Sequence, residues 1–346
     1  MAVKLPSSAT IMRRAAAILI AFVTICSLAS CKSHGGAEPA NPRLVKATPF
    51  ELDAKNPGRK EFGALTFMSA FQLDSKDRRF GGLSGLSFGS DGKLYMLSDR
   101  GHWLSATLVS AADDTVMDLV GWQIAPMLNQ KGEPLAGLRS DAEALTRGRD
   151  GSFVVAFETR HRIWRYAAPP DTLRSIPAPV KLPPEMSRAP NNGGIEGMAS
   201  LPDGFLLALT ERFGNSDGSF KGWLIERSGS AEIAYVPAPG FNVSDCAALD
   251  NGDLLVLERR YASLGIFSAR LAIVEQKAIK PGGKLSGKEL LRLEQPLVTE
   301  NFEGLAVQQT PKGTVIYLVS DDNFNFFQQT LLLQFRLAPP SPMRTR

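Results

Sequence analysis

Glu143, Glu196, Asp245 and Glu303 each open a short apolar run, and Asp99, Glu158, Glu211, Glu258 and Asp321 each close one. Like charges gathered closely raise one another's pKa values or recruit a cation. No cysteine–histidine spacing accompanies these acids, so the donors are hard oxygens that suit calcium, or else magnesium. The ligands this pattern selects are Glu143, Glu196, Asp245, Glu303, Asp99 and Asp321, with the amides of Asn191, Asn192, Asn301 and Asn323 nearby in the chain. Arg100, Arg160, Arg212 and Arg259 follow the closing acids. They would neutralise those acids, and Arg100, Arg212 and Arg259 would also bind an anionic group. His102 and His161 lie just past two of the closing acids and are the candidate general bases near neutral pH. A second reading stays open: the carboxylates cap backbone amides and pair with arginine to lock neighbouring elements together.

These acids sit at the two ends of a repeated unit. The segments beginning at Leu83, Asp141, Ile195, Asp245 and Phe302 share one plan. A polar residue starts a short strand, and a turn carrying Asp-Gly, Asn-Gly or Lys-Gly follows, a dipeptide suited to the positive φ of a tight hairpin. A second strand, almost continuously apolar, then ends in Asp or Glu. Such continuity predicts burial on both faces. The unit recurs at about 50 to 60 residues, the length of one four-stranded propeller blade. Each interval has room for two further strands, such as 221–227 and 231–236 after the third unit. No long amphipathic helical pattern is present. The fold class is therefore all-β, a propeller of four-stranded antiparallel blades, five of them, with six as the alternative if 101–140 or 160–195 hides a degenerate blade. The segment 64–73 lacks a unit of its own and is expected to close the last blade, which removes a free sheet edge.

In a propeller the first strand of each blade lines the central channel. The strand-opening residues Ser84, Glu143, Glu196, Asp245 and Glu303 are expected to form one ring, and the closing acids a second, at the same end of the channel. Ser84 replaces an acid in the first ring and makes it lopsided, which suits a metal held by some blades and open to substrate over another.

The chain has 346 residues, 44% hydrophobic and 21% charged, which places it among globular proteins. Its net charge of +4 is scattered, without a basic run interleaved with aromatics, so nucleic acid is not an expected partner. Lys4, Arg13 and Arg14 precede an uncharged, mostly apolar stretch over 15–28, too short for a comfortable membrane span. Leu28-Ala29-Ser30-Cys31 then resembles a bacterial lipobox, with Cys31 as the lipidated residue. The expected organisation is a signal over 1–31, a tether over 32–60, the propeller over 61–338 and a tail over 339–346. An exported, monomeric lipoprotein of the cell envelope is expected, facing the outer membrane or periplasm. Cys246 is the one cysteine after Cys31, so no intrachain disulfide can form, and it reads as a buried small hydrophobe. No Gly-x-Ser-x-Gly elbow or phosphate-binding glycine loop is present.

Gly82-Leu83-Ser84-Gly85-Leu86, Leu97-Ser98-Asp99-Arg100, Asp141-Ala142-Glu143-Ala144-Leu145, Ile195-Glu196-Gly197-Met198-Ala199, Asn301-Phe302-Glu303-Gly304-Leu305 and Val319-Ser320-Asp321-Asp322-Asn323 resemble the bacterial "esterase-like activity of phytase" family over about 62–337. The resemblance implies a phytase-like propeller, an exported location and hydrolysis of ester or phosphoester bonds in a small anionic or ester substrate. Lysines are sparse in the repeats, which argues against inositol hexakisphosphate itself. A lactonase-like calcium propeller is the chemical alternative, and a non-catalytic envelope-tethered binding scaffold is the alternative of another class.

Overall fold

The computed structural model describes residues 44–262 and 266–337. The first described strands are β1 (Lys46–Pro49), β2 (Glu61–Phe62) and β3 (Leu65–Asp74). Blade one is β4 (Leu83–Phe88), β5 (Leu94–Ser98), β6 (His102–Ser110) and β7 (Val116–Pro126). Blade two is β8 (Ala142–Arg147), β9 (Phe153–Phe157), β10 (Arg162–Tyr166) and β11 (Ala178–Val180). Blade three is β12 (Ile195–Ser200), β13 (Leu206–Gly214), β14 (Phe220–Ile225) and β15 (Ser230–Val236). Blade four is β16 (Asn242–Ala248), β17 (Leu254–Ala262), β18 (Ile266–Val274) and β20 (Lys288–Leu293). Before β20, β19 (Lys284–Ser286) reaches back and adds a parallel fifth strand to blade three. Blade five is β21 (Phe302–Thr310), β22 (Gly313–Ser320) and β23 (Leu331–Leu337), completed by β3.

The propeller is thus five-bladed. The closure expected for 64–73 holds, because β3 pairs antiparallel with β23 from Leu331↔Gln72 to Leu337↔Leu65. The sheet continues one strand further: β1 pairs with β3, and Val45 and Leu52 are buried. Residues assigned by sequence to the tether are therefore part of the fifth blade. The long 101–140 region is taken up by β6, β7 and a loop rather than a sixth blade.

The core lies between blades and not in one centre. In β5, Leu94 and Met96 pack toward blade five, while Tyr95 and Leu97 pack toward blade two. In β9, Phe153, Val155 and Phe157 face blade one, while Val154 and Ala156 face blade three. The period of two sends alternate side chains to opposite faces, so a second strand buried on both sides must be apolar throughout. Turn chemistry follows the sequence: Gly92 and Gly151, after aspartate, sit at φ +76° and +80°. The signal expected over 1–31, with Cys31, and the tail expected over 339–346 lie outside the described residues.

Candidate functional site

Each innermost strand carries a β-bulge near its start, and the bulged residue is the one that turns toward the channel mouth. The register shifts fall at Ser84, Glu143, Glu196, Ser244 and Glu303. In blade four the bulge is thus at Ser244, and Asp245 lies one residue further, paired with Leu257 as Gly85 is with Leu97. This corrects the expected ring. It contains three glutamates and two serines, and the serines behave alike. Ser84 donates to the carbonyl of Ala142, 2.5 Å away, and Ser244 to that of Phe302 at 3.1 Å. Each acceptor is the residue before the bulge of the next blade.

Asp245 occupies the slot where other blades have Gly or Ala. It is fully buried, and its two oxygens accept the Cys246 and Leu305 amides, both at 2.7 Å. Burial holds its carboxyl well above the usual range. Asp245 therefore ties blade four to blade five, away from the ring.

The second ring shifts in the same blade. Asp99, Glu158, Glu211 and Asp321 each donate their amide to the carbonyl two residues before the bulge of their own blade. In β17 that position belongs to Arg259, paired with Asn242. Glu258, one residue earlier, points between blades three and four. There it accepts from Tyr235 at 2.5 Å and pairs with Arg270 at 2.9 Å. The mouth thus holds Asp99, Glu158, Glu211 and Asp321 with an arginine as the fifth member.

Arg259 is the cation of the mouth. Its guanidinium bonds Glu211 at 3.1 Å, the Asn301 amide oxygen at 2.6 Å, and Glu303. Burial works against its charge, yet Glu303 and Glu211 outweigh that and hold it well above the usual range. Arg212 pairs with Glu211 at 3.0 Å from a half-exposed position. The Arg100 guanidinium lies 3.3 Å from the centre of the Phe324 ring.

Away from Arg259 the carboxylates are uncompensated. Asp141, Glu143 and Glu158 bring oxygen atoms within 4.8 Å of one another. Burial, then Glu196 and Glu303, push the Glu143 carboxyl well above its usual range. Burial and then Glu158 do the same to Glu196. Glu303 is raised by burial, with Arg259 opposing. Asp321 is raised by burial and by Glu303. Asp99 is pushed up to about 7, chiefly by burial, and its buried Oδ1 has no hydrogen-bond partner. A group of partly buried hard oxygens, short of positive charge and including an orphaned carboxylate oxygen, fits a divalent cation.

Glu158 also has a structural role, since its Oε1 accepts the amides of Gly193 at 2.6 Å and Gly194 at 2.5 Å. His161 packs on the same glycine, because a Cβ at Gly194 would lie 2.7 Å from His161 Nδ1 and 3.2 Å from Glu158 Oε1. His161 Nε2 sits 2.8 Å from the Pro190 carbonyl and so donates to it, which leaves the buried Nδ1 as an unpartnered acceptor. His102 starts β6 beyond the ring. Burial and then Arg79 hold its pKa down.

Sequence reasoning passed over Asp141 as a ligand, and Phe324. A Cβ on Gly82, itself at φ +61°, would collide with both Asp99 and Phe324, so the carboxylate and the ring both pack on this glycine. Asn323 and Phe324 both have φ of 48°, a left-handed conformation costly for a bulky residue and characteristic of functional loops. The Asp321-Asp322-Asn323 run was the available signal, because Asp322 fixes the loop by accepting the Gly82 and Phe324 amides at 2.9 and 3.0 Å.

A family profile described as "Phytase-like: Esterase-like activity of phytase" matches residues 78–324. No curated protein matches the chain. Among solved structures it is similar to a virginiamycin B lyase from Staphylococcus aureus, at 10% identity over 85% of this chain and 100% of that one, TM-score 0.39. It is also similar to the PQQ domain of a pyranose dehydrogenase from Coprinopsis cinerea, at 9% identity over 73% and 93%, TM-score 0.39. A protein of unknown function from Dyadobacter fermentans aligns at 14% identity over 85% and 91%, TM-score 0.42.

Proposed function

The chain belongs to the phytase-like family of esterase-like propellers, and from that premise we propose that it is a divalent-cation-dependent hydrolase of ester or phosphoester bonds, held at the cell envelope by a lipid on Cys31. The observation that carries this reading is the approach of Asp141, Glu143 and Glu158 within 4.8 Å, beside the unpartnered Oδ1 of Asp99. These residues would hold calcium or magnesium, with Glu196 and Glu303 adjoining. A cation bound there polarises an ester or phosphoryl oxygen and acidifies a water.

The other roles fall to side chains of this chain. Arg212 and Arg100, both exposed at the mouth, bind and orient the anionic part of the substrate. Arg259 fixes the positions of Glu211 and Glu303 through its guanidinium. The bare Nδ1 of His161 takes the proton of the attacking water, and the Pro190 carbonyl fixes the tautomer that leaves it free. Phe324 packs on Gly82 beside Asp99 and bounds the site on that side.

A binding scaffold is the second reading, favoured by the bonds of Glu158 to the Gly193 and Gly194 amides. Turnover of p-nitrophenyl phosphate, bis-p-nitrophenyl phosphate and p-nitrophenyl acetate, with calcium and with EDTA, separates the two. The hydrolase reading expects calcium-dependent turnover that Glu143→Gln abolishes and His161→Ala lowers about a hundredfold. Absence of turnover on all three, with calcium still bound, would leave the scaffold.

A further inference from the structure

Of the large exposed apolar side chains, Phe326, Phe327, Tyr261, Ile266 and Leu138 lie on the face that bears the acidic mouth, and Val109 and Met117 on the opposite one. Phe326 and Phe327 are 96% and 85% exposed, on the β22–β23 connection that also carries Asp321. Their rings contact each other at 5.6 Å. Tyr261 and Ile266 crown the β17–β18 hairpin, which runs on past Arg259. Leu138, 74% exposed, lies on the connection from β7 to β8. Soluble proteins rarely display such residues on one face without a partner for them.

Two further observations say what that partner is. The first is where the chain enters. Lys46 pairs with Asp74, and the Ser75 hydroxyl donates to the Leu44 carbonyl at 2.5 Å. Asp74 is at the end of β3 that adjoins Leu331, beside Ser320 and Phe302, which is the mouth end of blade five. The described chain therefore leaves toward its N-terminus from the mouth face. Cys31 precedes Leu44 by so few residues that the intervening chain can span at most about 45 Å. The second is charge. Arg78, Arg100, Arg139 and Arg160 are exposed on loops of this same face. Aromatic and aliphatic side chains with exposed arginines on the same face suit the interface of an anionic bilayer.

We propose that the mouth face is a membrane-docking surface: the aromatic tips at 326–327 and 261 enter the headgroup region of an anionic bilayer, and the channel opens onto it. The proposal rests on the lipid anchor of the preceding reading and is independent of any hydrolysis. Docking brings the acidic mouth to substrates that reside at the lipid–water interface.

The test places tryptophan at the rim and, as control, on the opposite face. Phe326→Trp and Met117→Trp are made in the full, lipid-bearing chain. Both sites are exposed, and Met117, at the start of β7, lies at the far end of its blade. Each variant is floated with phosphatidylglycerol vesicles containing doxyl-labelled lipid, and quenching is read as the change from the parent chain. The expected result is several-fold stronger quenching at 326 than at 117, diminished in phosphatidylcholine vesicles. A chain that fails to float overturns the proposal through the anchor. A chain that floats but is quenched equally, or at neither position, overturns it through the rim.

Discussion

The Arg259 guanidinium lies 3.1 Å from the Glu211 carboxylate, reaching from blade four to blade three across the channel mouth. It stands where other blades place an acid, and it also holds Glu303 of blade five. Replacing it by methionine leaves the buried Glu303 without its cation and Glu211 with Arg212 alone. Arg259→Met is expected to cost about 3 kcal/mol at pH 8, the scale for breaking a buried pair. Part of the loss should return at pH 5, where Glu303, already raised by burial, takes a proton. Denaturant unfolding at the two pH values checks both parts; an equal loss at each would contradict the assigned pairing.

The ring register separates two acids that look equivalent in sequence. Asp245→Ala orphans the Leu305 and Cys246 amides and is expected to destabilise by about 2 kcal/mol. Its calcium response should equal that of the parent. Glu143→Gln is expected to show the reverse, a weakened calcium response with little loss of stability, because burial and the neighbouring Glu196 and Glu303 disfavour a charged side chain there. Calcium titration calorimetry beside urea unfolding measures both. Loss of calcium binding in Asp245→Ala, at a pH where that variant is folded, would restore Asp245 to the ring.

The raised carboxyls fix a pH dependence. Asp99 goes from an ordinary value of 3.8 to about 7 in the fold. The folded chain therefore binds this proton more tightly than the unfolded chain does, so its stabilising contribution is complete below about pH 4 and is lost as pH rises through about 7. Glu143, Glu196 and Asp321 shift in the same direction. The cation-free chain is expected to melt lower at pH 8 than at pH 5. Groups held low, such as Asp77 at about 2, lose their contribution only below that window. Calcium must displace these protons, so its stabilisation should grow from pH 5 to pH 8. Melting curves in EDTA and in calcium across that range would show it, and a calcium effect greatest at pH 5 would refute the assignment.

Five blades and their closure were legible because a blade is a local object. The apolar second strands and the Asp-Gly turns are contiguous in sequence, and a stretch such as Leu65–Asp74 without a partner of its own must pair somewhere. The site was legible to the level of a residue class, and to the individual residue only where register is unambiguous. In blade four, Asp245 and Glu258 are acids one place from the ring positions, and a bulge leaves no mark in composition. The signal that would have placed them is Val243. A buried apolar residue precedes the bulge of each innermost strand, Leu83, Ala142, Ile195 and Phe302 as well as Val243, and that makes Ser244 the partner of Ser84. A shift of one residue sends a strand side chain to the other face, which is why Glu258 meets Tyr235 and Arg270 instead of the mouth. Phe324 and Asp141 depend on loop conformation and on proximity between connections, neither of which spacing reveals.

The central claim is that the mouth holds a divalent cation through Asp141, Glu143 and Glu158. The most direct measurement is the melting temperature of the chelator-treated full chain at pH 8 during calcium titration, beside an Asp141→Asn, Glu143→Gln double variant. The parent curve is expected to rise with calcium and saturate while that of the double variant stays flat. A parent melting temperature that neither calcium nor magnesium moves would contradict the claim.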